Sequence, residues 1–478
     1  MRCTARFAGL AGLAALALLA LLACGGERAR PGTPPKHVLL LTCAGIRADH
    51  MSAYLYPRMT TRIEALPEQR ERGENLALDD LAEQGVVFWN AYSPRAADLP
   101  ALASLLTGRA PLELDAVDAN GAVTAPGVLG DDGALADTAD TLAERFARAG
   151  FRTAAFVANA ELVLDKGLAQ GFAHYWVVEA SDADPDYAIV KQSTAWLHAQ
   201  GPDDPRPLFV WLHFTGPRAP WEPSPLGNVD YAKLFADPDA TTAANGSRAW
   251  IDAAQAPVSA GGASPGAFDL ERVVALYDGE IARVNWLVRL FLQLWAGKFA
   301  DQQPRDLLKD SALVFAGTHG QELYQRNRWL EAERSVWSSS LRVPLVLRHP
   351  GSLTGARVLD APVELADVAP TLLEWFALEG RPTDAGRSLL ALTDAPPRTR
   401  WIERAVVGTW RASIRTATDG RWRLVSNPNG VDPSGDGSWG VPALALYDLE
   451  RDPLERNDVA AAHPDVVARL RAALAPAD

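Results

Sequence analysis

The sequence predicts an α/β fold with a mainly parallel central sheet covered by helices, and three observations carry that prediction. First, short continuous apolar runs recur at 38–42 (VLLLT), 151–157 (FRTAAFV), 207–214 (PLFVWLHF) and 311–316 (SALVFA). Unbroken rather than alternating apolarity marks strands buried on both faces. Second, amphipathic helical segments precede the later runs, at 138–149, 186–199 and 270–297, and helices alternating with strands build a parallel sheet. Third, from about Pro396 the pattern changes to short β-rich stretches, 401–407, 411–416 and 421–426, with turns such as Asn427-Pro428-Asn429-Gly430 and a closing helix from His463 to about Leu474. This predicts a small C-terminal α+β subdomain over 396–478, packed on a large α/β domain over 37–395.

The chain opens on a leader. Residues 1–24 place Arg2 and Arg6 before an apolar run from Phe7 to Ala23 and end on Cys24. A short basic region followed by an apolar core is an export signal rather than a fold element. Leu21-Leu22-Ala23-Cys24 resembles a bacterial lipobox, whose cysteine is acylated and becomes the mature N-terminus. The competing reading is a transmembrane anchor, for which a run of about 17 residues is the short limit. Acylation at Cys24 predicts an exported lipoprotein, periplasmic or at the cell surface, that touches the membrane through its N-terminal lipid. Residues 25–36 form a Pro/Gly/Arg tether. Cys3 lies in the leader and Cys24 takes the lipid, so Cys43 is left with no intramolecular disulfide partner.

Composition narrows the function. With 48% apolar and 22% charged residues over 478 positions, the chain can bury a large core and is neither disordered nor polytopic in a membrane. Its net charge of −13 repels polyanions and argues against nucleic acid as a partner. The eight histidines form no H-x-H or H-E-x-x-H pair, and there is no Walker-type loop or G-x-S-x-G elbow. Zinc-hydrolase, nucleotide-hydrolase and serine-esterase chemistry therefore have no support. Segments 61–75 and 222–268 read as surface insertions.

Eight segments in collinear order resemble the sulfatase family of the alkaline phosphatase superfamily: 37–50 (HVLLLTCAGIRADH), 79–94 (DDLAEQGVVFWNAYSP), 99–109 (LPALASLLTGR), 140–157 (DTLAERFARAGFRTAAFV), 207–221 (PLFVWLHFTGPRAPW), 313–323 (LVFAGTHGQEL), 341–351 (LRVPLVLRHPG) and 447–460 (LYDLERDPLERNDVA). The resemblance implies hydrolysis of sulfate esters, with one divalent metal, usually calcium, held by carboxylates at the ends of the sheet. The nucleophile it implies is a formylglycine hydrate made from Cys or Ser. The physical logic is that a hard cation takes oxygen ligands and neutralises the sulfate, while a helix N-terminus favours the anion.

At the chemical positions this chain departs from the family pattern. Where relatives carry the first metal carboxylate, after the first strand in V-D-T-L-R-A-D-H, this chain reads Cys43-Ala44-Gly45-Ile46-Arg47-Ala48-Asp49-His50 and has Ala44 at the ligand position. The nucleophile position is Asp98, and the arginine or histidine that contacts it is Leu102. The S-D-H-G metal pair reads Gly317-Thr318-His319-Gly320, so His319 is retained and Thr318 replaces the carboxylate. The histidine that protonates the leaving oxygen is replaced by Arg218, which stays charged and donates a proton poorly. The resemblance thus implies a divergent member lacking most active-site residues, with calcium bound only if the site still functions and otherwise no cofactor.

Residue by residue, plainer roles compete with chemical ones. Asp98 precedes Leu99-Pro100-Ala101 and suits the N-cap of a helix over 99–107; there its carboxylate would occupy the anion site, with Arg218 as an ion-pair partner. The chemical alternative makes Asp98 a new metal ligand or nucleophile. His319 reads as a relic, since one histidine without a carboxylate rarely makes a metal site. Cys43 reads as a buried small apolar residue. Glu322 and Asp278 sit near site-forming segments and could rebuild a weak cation site. Trp211, Trp221, Trp329, Trp337 and Trp439 are read as packing, with a sugar-stacking cleft as the alternative.

The function this predicts is a catalytically degenerate, sulfatase-like envelope lipoprotein acting as a binding or accessory protein, with a sulfated glycan or an envelope protein as partner. The rival is an active metal-dependent sulfate or phosphate ester hydrolase with a rewired site. Cys24→Ala is expected to abolish incorporation of labelled palmitate and to release the protein from the membrane pellet. Continued pelleting of a wild-type protein that takes up no label would instead support the transmembrane anchor.

Overall fold

The unbroken apolarity of 38–42 places that segment in the middle of the sheet. In the computed structural model, which describes residues 35–474 except 63–75, 119–121, 126–128, 132, 201–203, 239–241, 260–265, 298–305, 326–328, 331–334, 350–355, 379–385, 394–404, 411–412 and 434–439, it forms β1 (His37–Cys43), every residue of it buried. The other strands of the sheet are β2 (Val86–Tyr92), β3 (Arg152–Val157), β4 (His174–Val177), β5 (Leu208–Phe214), β6 (Ser311–Gly317), β7 (Arg342–Val343), β8 (Leu345–Arg348) and β9 (Arg357–Glu364). Their order is β9, β2, the β7/β8 segment, β6, β1, β5, β3, β4. All pairs are parallel except those of β7 and β8, which run antiparallel to β2, and of β8 with β6. The sheet is mixed and mostly parallel.

Register decides what this scaffold can present. Cys43 pairs with Phe214 of β5 and Gly317 of β6, so the residues after all three strands emerge side by side. The carboxyl edge of a parallel sheet is where open α/β folds gather their ligands.

Side chains of β1 alternate between two cores. Leu39, Leu41 and Cys43 face one cluster with α1 (Leu78–Gln84), α4 (Pro185–Ala199) and the long α6 (Ala267–Trp295). Val38 and Leu40 face the other, with α2 (Asp98–Thr107), α3 (Leu142–Arg148) and α7 (Val368–Trp375). The helix predicted from 138 begins only at Leu142, because Thr141 caps it: Glu144 N donates to Thr141 Oγ1 at 3.2 Å and Thr141 N to Glu144 Oε2 at 2.8 Å, a capping box. The segment 222–268, expected to be a surface insertion, carries α5 (Arg248–Ser259). It also buries Tyr231, Ala244 and Ile251, apolar side chains that pack onto the domain.

Helix α6 is pinned to the loops around it by buried polar contacts. Tyr277 Oη donates to Gly45 O at 2.7 Å and accepts from Arg47 N at 2.9 Å. Asp278 is fully buried and meets His50 Nδ1 at 2.8 Å, Tyr56 Oη at 2.9 Å and Arg58 at 2.8 Å. Arg283 pairs with Asp184, and Asn285 Oδ1 accepts from Leu78 N at 2.8 Å. Asp278 is therefore committed to holding the 47–58 loop, which corrects its reading as a cation ligand. Glu322 is engaged on one oxygen only: the hydroxyls of Ser335 and Ser339 donate to Oε1, and Oε2 is buried with no hydrogen-bond partner among the described residues.

At the C-terminal end, β10 (Val406–Trp410), β11 (Ile414–Thr418), β12 (Trp422–Ser426) and β13 (Leu444–Asp448) form an antiparallel meander. One face packs under α8 (Pro464–Ala472) and the other on Val336 and Trp337 of the large domain. A buried ion pair within the subdomain, Arg423 Nε to Glu455 Oε1 at 3.0 Å, reaches the large domain through Arg423 Nη2 donating to Val336 O at 2.6 Å and Ser338 N donating to Glu455 Oε2 at 2.9 Å. Residues 401–404 lie outside the described residues, as do Cys24, Trp439 and the side chain of Trp329. Trp211, Trp221 and Trp337 are buried packing residues.

Asp278→Ala strands a buried imidazole and a half-buried phenol and guanidinium at once. It is expected to lower unfolding free energy by about 3–5 kcal/mol, measured by urea denaturation.

Candidate functional site

The carboxyl edge collects one carboxylate and the groups that meet it. Asp98 opens α2 and is buried, 7% exposed. It does not cap the helix as expected: the N-cap is Ala97, and no side chain caps that end. The reason is competition, because the carboxylate is drawn across to the neighbouring strand ends. Oδ1 accepts from the Thr318 hydroxyl at 2.6 Å and faces His319 Nε2 at 3.4 Å. Oδ2 accepts from Asn159 Nδ2 at 2.9 Å and faces His213 Nε2 at 3.5 Å and Arg218 Nη1 at 3.6 Å.

Each partner is positioned by the sheet. Thr318 and His319 follow β6, and the Thr318 amide donates to Cys43 O at 3.0 Å. His319 Nδ1 donates to Gly320 O at 2.8 Å, which turns Nε2 toward Asp98. His319 is thus held by the turn after the strand, as the relic reading expects, and in addition faces a carboxylate that the sequence did not reveal. His213, the penultimate residue of β5, is fully buried. Trp211 Nε1–H donates to Thr42 Oγ1 at 2.8 Å, and the Thr42 hydroxyl lies 2.9 Å from His213 Nδ1. With that hydroxyl donating to Nδ1, the ring proton sits on Nε2, facing the carboxylate.

Arg218 rides on the loop after β5, which is clamped from two sides. Asp186 accepts from Thr215 N and Gly216 N, both at 2.8 Å. Gly45, at φ +71°, lets the first loop approach so closely that a Cβ there would sit 2.8 Å from Arg218 N, a position that only glycine fills without strain. Arg218 remains 28% exposed and is the solvent-facing member of the cluster.

Electrostatically, burial works to raise the Asp98 carboxyl, and the imidazoles of His213 and His319 overcome it and hold it well below the usual carboxylate range. Burial pushes the Cys43 thiol well up, helped by Asp186, Asp98 and Glu280, which suits an inert packing residue rather than a nucleophile.

Of the residues singled out from sequence, Asp98, Arg218, Thr318 and His319 come together. Ala44 is buried at the end of β1 with its amide on Phe214 O at 2.8 Å, and Leu102 is buried in the apolar core one turn along α2. His213 and Asn159 are the members that sequence reasoning missed. Their one signal was a polar residue at the carboxyl end of a buried apolar run, at 207–214 and 151–157 respectively.

The donor set does not fit calcium. That ion asks for about six to eight oxygen ligands, several of them anionic. Here one carboxylate is already met by a hydroxyl, a carboxamide N–H, two imidazoles and a guanidinium, and Ala44 offers no side-chain donor. Among the described residues no group of three His, Cys, Asp or Glu side chains is arranged to hold a metal ion. What the cluster can do chemically is hold an anion, by two hydrogen bonds from Thr318 and Asn159 and by the closer-than-4 Å approach of two imidazoles and a guanidinium.

Because the folded-state value of Asp98 lies below the unfolded one, its contribution to stability is complete above about pH 4. It is lost as pH falls through the folded value, at up to about 1.4 kcal/mol per pH unit. Asp98→Asn is expected to flatten that acid limb relative to wild type, read as unfolding free energy against pH.

A protein-family model described as Sulfatase matches residues 36–378, more than half of the chain. A "Sulfatase" of Formosa agariphila is 30% identical over 84 residues, covering 18% of this chain and 16% of that protein. "Arylsulfatase H" of Canis lupus familiaris is 25% identical over 239 residues, covering 42% of this chain and 40% of that protein. The chain thus spans less than half the length of these curated relatives. Among solved structures, a phosphonate monoester hydrolase of Agrobacterium radiobacter matches with a TM-score of 0.63 at 20% identity, over 92% of this chain and 94% of that one. A structure described as a 2-O GAG sulfatase matches with a TM-score of 0.63 at 18% identity, over 92% and 91%. These structural likenesses establish the fold, and with the family model they lead to one conclusion: the chain belongs to the sulfatase family.

Proposed function

We propose that this protein is a sulfatase-family member whose anion pocket is filled by its own Asp98, and that it works as a binding or accessory protein at the cell envelope rather than as an ester hydrolase. One observation carries this: both oxygens of a buried carboxylate are engaged where the resemblance expects a nucleophile at a helix N-terminus. A carboxylate so placed competes with sulfate for the same donors. It is also a weak nucleophile, held in its ionised form by hydrogen bonds that lower its reactivity further. Ala44, Leu102, Thr318 and Arg218 at the other chemical positions support the same reading, as does the misfit of the donor set to calcium. The leader and Cys24 support an exported, lipid-anchored location, and the partner class is a sulfated glycan or an envelope protein.

The hydrolase reading draws on one specific feature, the two imidazoles flanking Asp98, which are the kind of groups that transfer protons in ester cleavage. Calorimetry with sodium sulfate separates the two. Wild type is expected to bind no sulfate, whereas Asp98→Ala, with Thr318, Asn159, His213, His319 and Arg218 left facing the vacated position, is expected to bind it. Adding Arg218→Gln is expected to weaken that binding about tenfold or more. Turnover of 4-nitrophenyl sulfate or a phosphonate monoester by wild type, abolished in Asp98→Asn, would overturn the proposal.

A further inference from the structure

A second site lies on the other side of a short wall of chain. Gly320, next to His319, donates its amide to Ser340 O at 2.8 Å. Ser338 and Arg342, at the two ends of the segment containing Ser340, face instead into a cleft of about 540 Å³ between the large domain and the C-terminal subdomain. That size lies within the range of small-molecule sites, about 300–1,000 Å³. The large domain contributes Trp89, Arg342 and Asp360, and the subdomain contributes Trp422, Arg421 and Arg469.

The chemistry of the cleft is uneven in an informative way. Arg421 is paired with Asp448 at 3.0 Å, and Arg469 with Asp419 at 2.5 Å. Arg342 has no carboxylate within 4 Å among the described residues; its Nε and Nη2 donate only to Trp89 O, at 3.1 and 2.9 Å. Its guanidinium carbon lies 5.3 Å from the centre of the Trp89 ring. Opposite in sign, Asp360 is half-buried, and its Oδ1, itself shielded from solvent, accepts no hydrogen bond among the described residues. A buried carboxylate oxygen without a donor is costly and rare in native proteins.

The indole N–H groups of Trp89 and Trp422 make no hydrogen bond among the described residues. A ligand that completes this cleft therefore supplies one anionic group for Arg342, a hydroxyl donor for Asp360 and ring or hydroxyl oxygens for the two indoles. Purely apolar ligands leave Asp360 and Arg342 unmatched. A dense polyanion meets Asp360, Asp419 and Glu450 as like charges. We infer that the cleft binds a saccharide carrying a single anionic group, a carboxylate or a sulfate, with that group on Arg342 and a ring hydroxyl on Asp360 Oδ1. This inference does not depend on what the Asp98 cluster does.

Calorimetric titration of the full-length protein tests it with three probes: a glucuronic acid–N-acetylglucosamine disaccharide, glucosamine 6-sulfate and neutral cellobiose. The expected result is binding of one or both anionic sugars and none of cellobiose; which anionic probe binds identifies the charged group. Arg342→Gln is expected to weaken that binding about tenfold or more, and Arg342→Lys to retain part of it. Asp360→Asn removes the charge on a half-buried side chain whose Oδ1 lacks a donor among the described residues, so it should leave the melting temperature unchanged or raised while weakening binding about tenfold. Asp98→Ala is expected to leave binding of these sugars by the cleft intact, as judged by its sensitivity to Arg342→Gln. Absence of binding by any probe, equal binding of cellobiose, or binding unaffected by Arg342→Gln in a folded variant would overturn the inference.

Discussion

A carboxylate taken out of water has to be met by donors or cations, because its desolvation costs several kcal/mol if it is left alone. Asp98 is such a group, and its demand organises the carboxyl edge of the sheet. Its partners come from the ends of three strands: Asn159 after β3, His213 and Arg218 at and after β5, Thr318 and His319 after β6. Each brings its loop with it. The Arg218 loop is in turn clamped by Asp186 and by the close backbone approach that Gly45 permits. Remove the charge at the centre and these contacts lose their common focus, although the strands beneath keep their register.

On the proposed reading, the same arrangement lets a sulfatase-family scaffold suit an anion without performing the family's chemistry on it. Donors that converge on two carboxylate oxygens are arranged much as they would be for the oxygens of a bound oxyanion. The difference lies in what is covalently attached. An anion supplied by the chain itself cannot dissociate, so the pocket is kept occupied at every ligand concentration. On the proposed reading, recognition of outside molecules then falls to other surfaces, and the cleft between the large domain and the C-terminal meander is the surface with unmatched polar groups.

Much of the fold was legible because its signals are local. The run 38–42 could only be a strand buried on both faces, and the alternation of helices with such runs left a mostly parallel sheet as the economical arrangement. The antiparallel β7/β8 segment was not legible, since nothing in Leu341–Arg348 announces direction. At the site, Asp98, Arg218, Thr318 and His319 stood out by their place in the resemblance, but their convergence depends on strand register, which is tertiary. His213 looked like one histidine among eight, and Asn159 like an ordinary polar residue ending a strand. Asp98 was misjudged as a helix cap because local rules see the nearest amides and not the Thr318 hydroxyl, 220 positions away. Asp278 was misjudged for the same reason, since Arg58 and His50 reach it only after α6 has docked.

Helix α6 has a role beyond covering the sheet. Through Tyr277, Asp278, Arg283 and Asn285 it holds the first loop, the 47–58 segment, the start of α4 and the start of α1 by buried polar contacts, at points spread over little more than two turns. Sliding it by one residue would break all four at once, and no subset can be released without leaving buried groups unpaired. The helix, the loops beneath it and the carboxyl edge they frame therefore open together or not at all, as one cooperative unit of the native-state ensemble. A site framed this way is preformed among the described residues. Whatever reaches it must already fit.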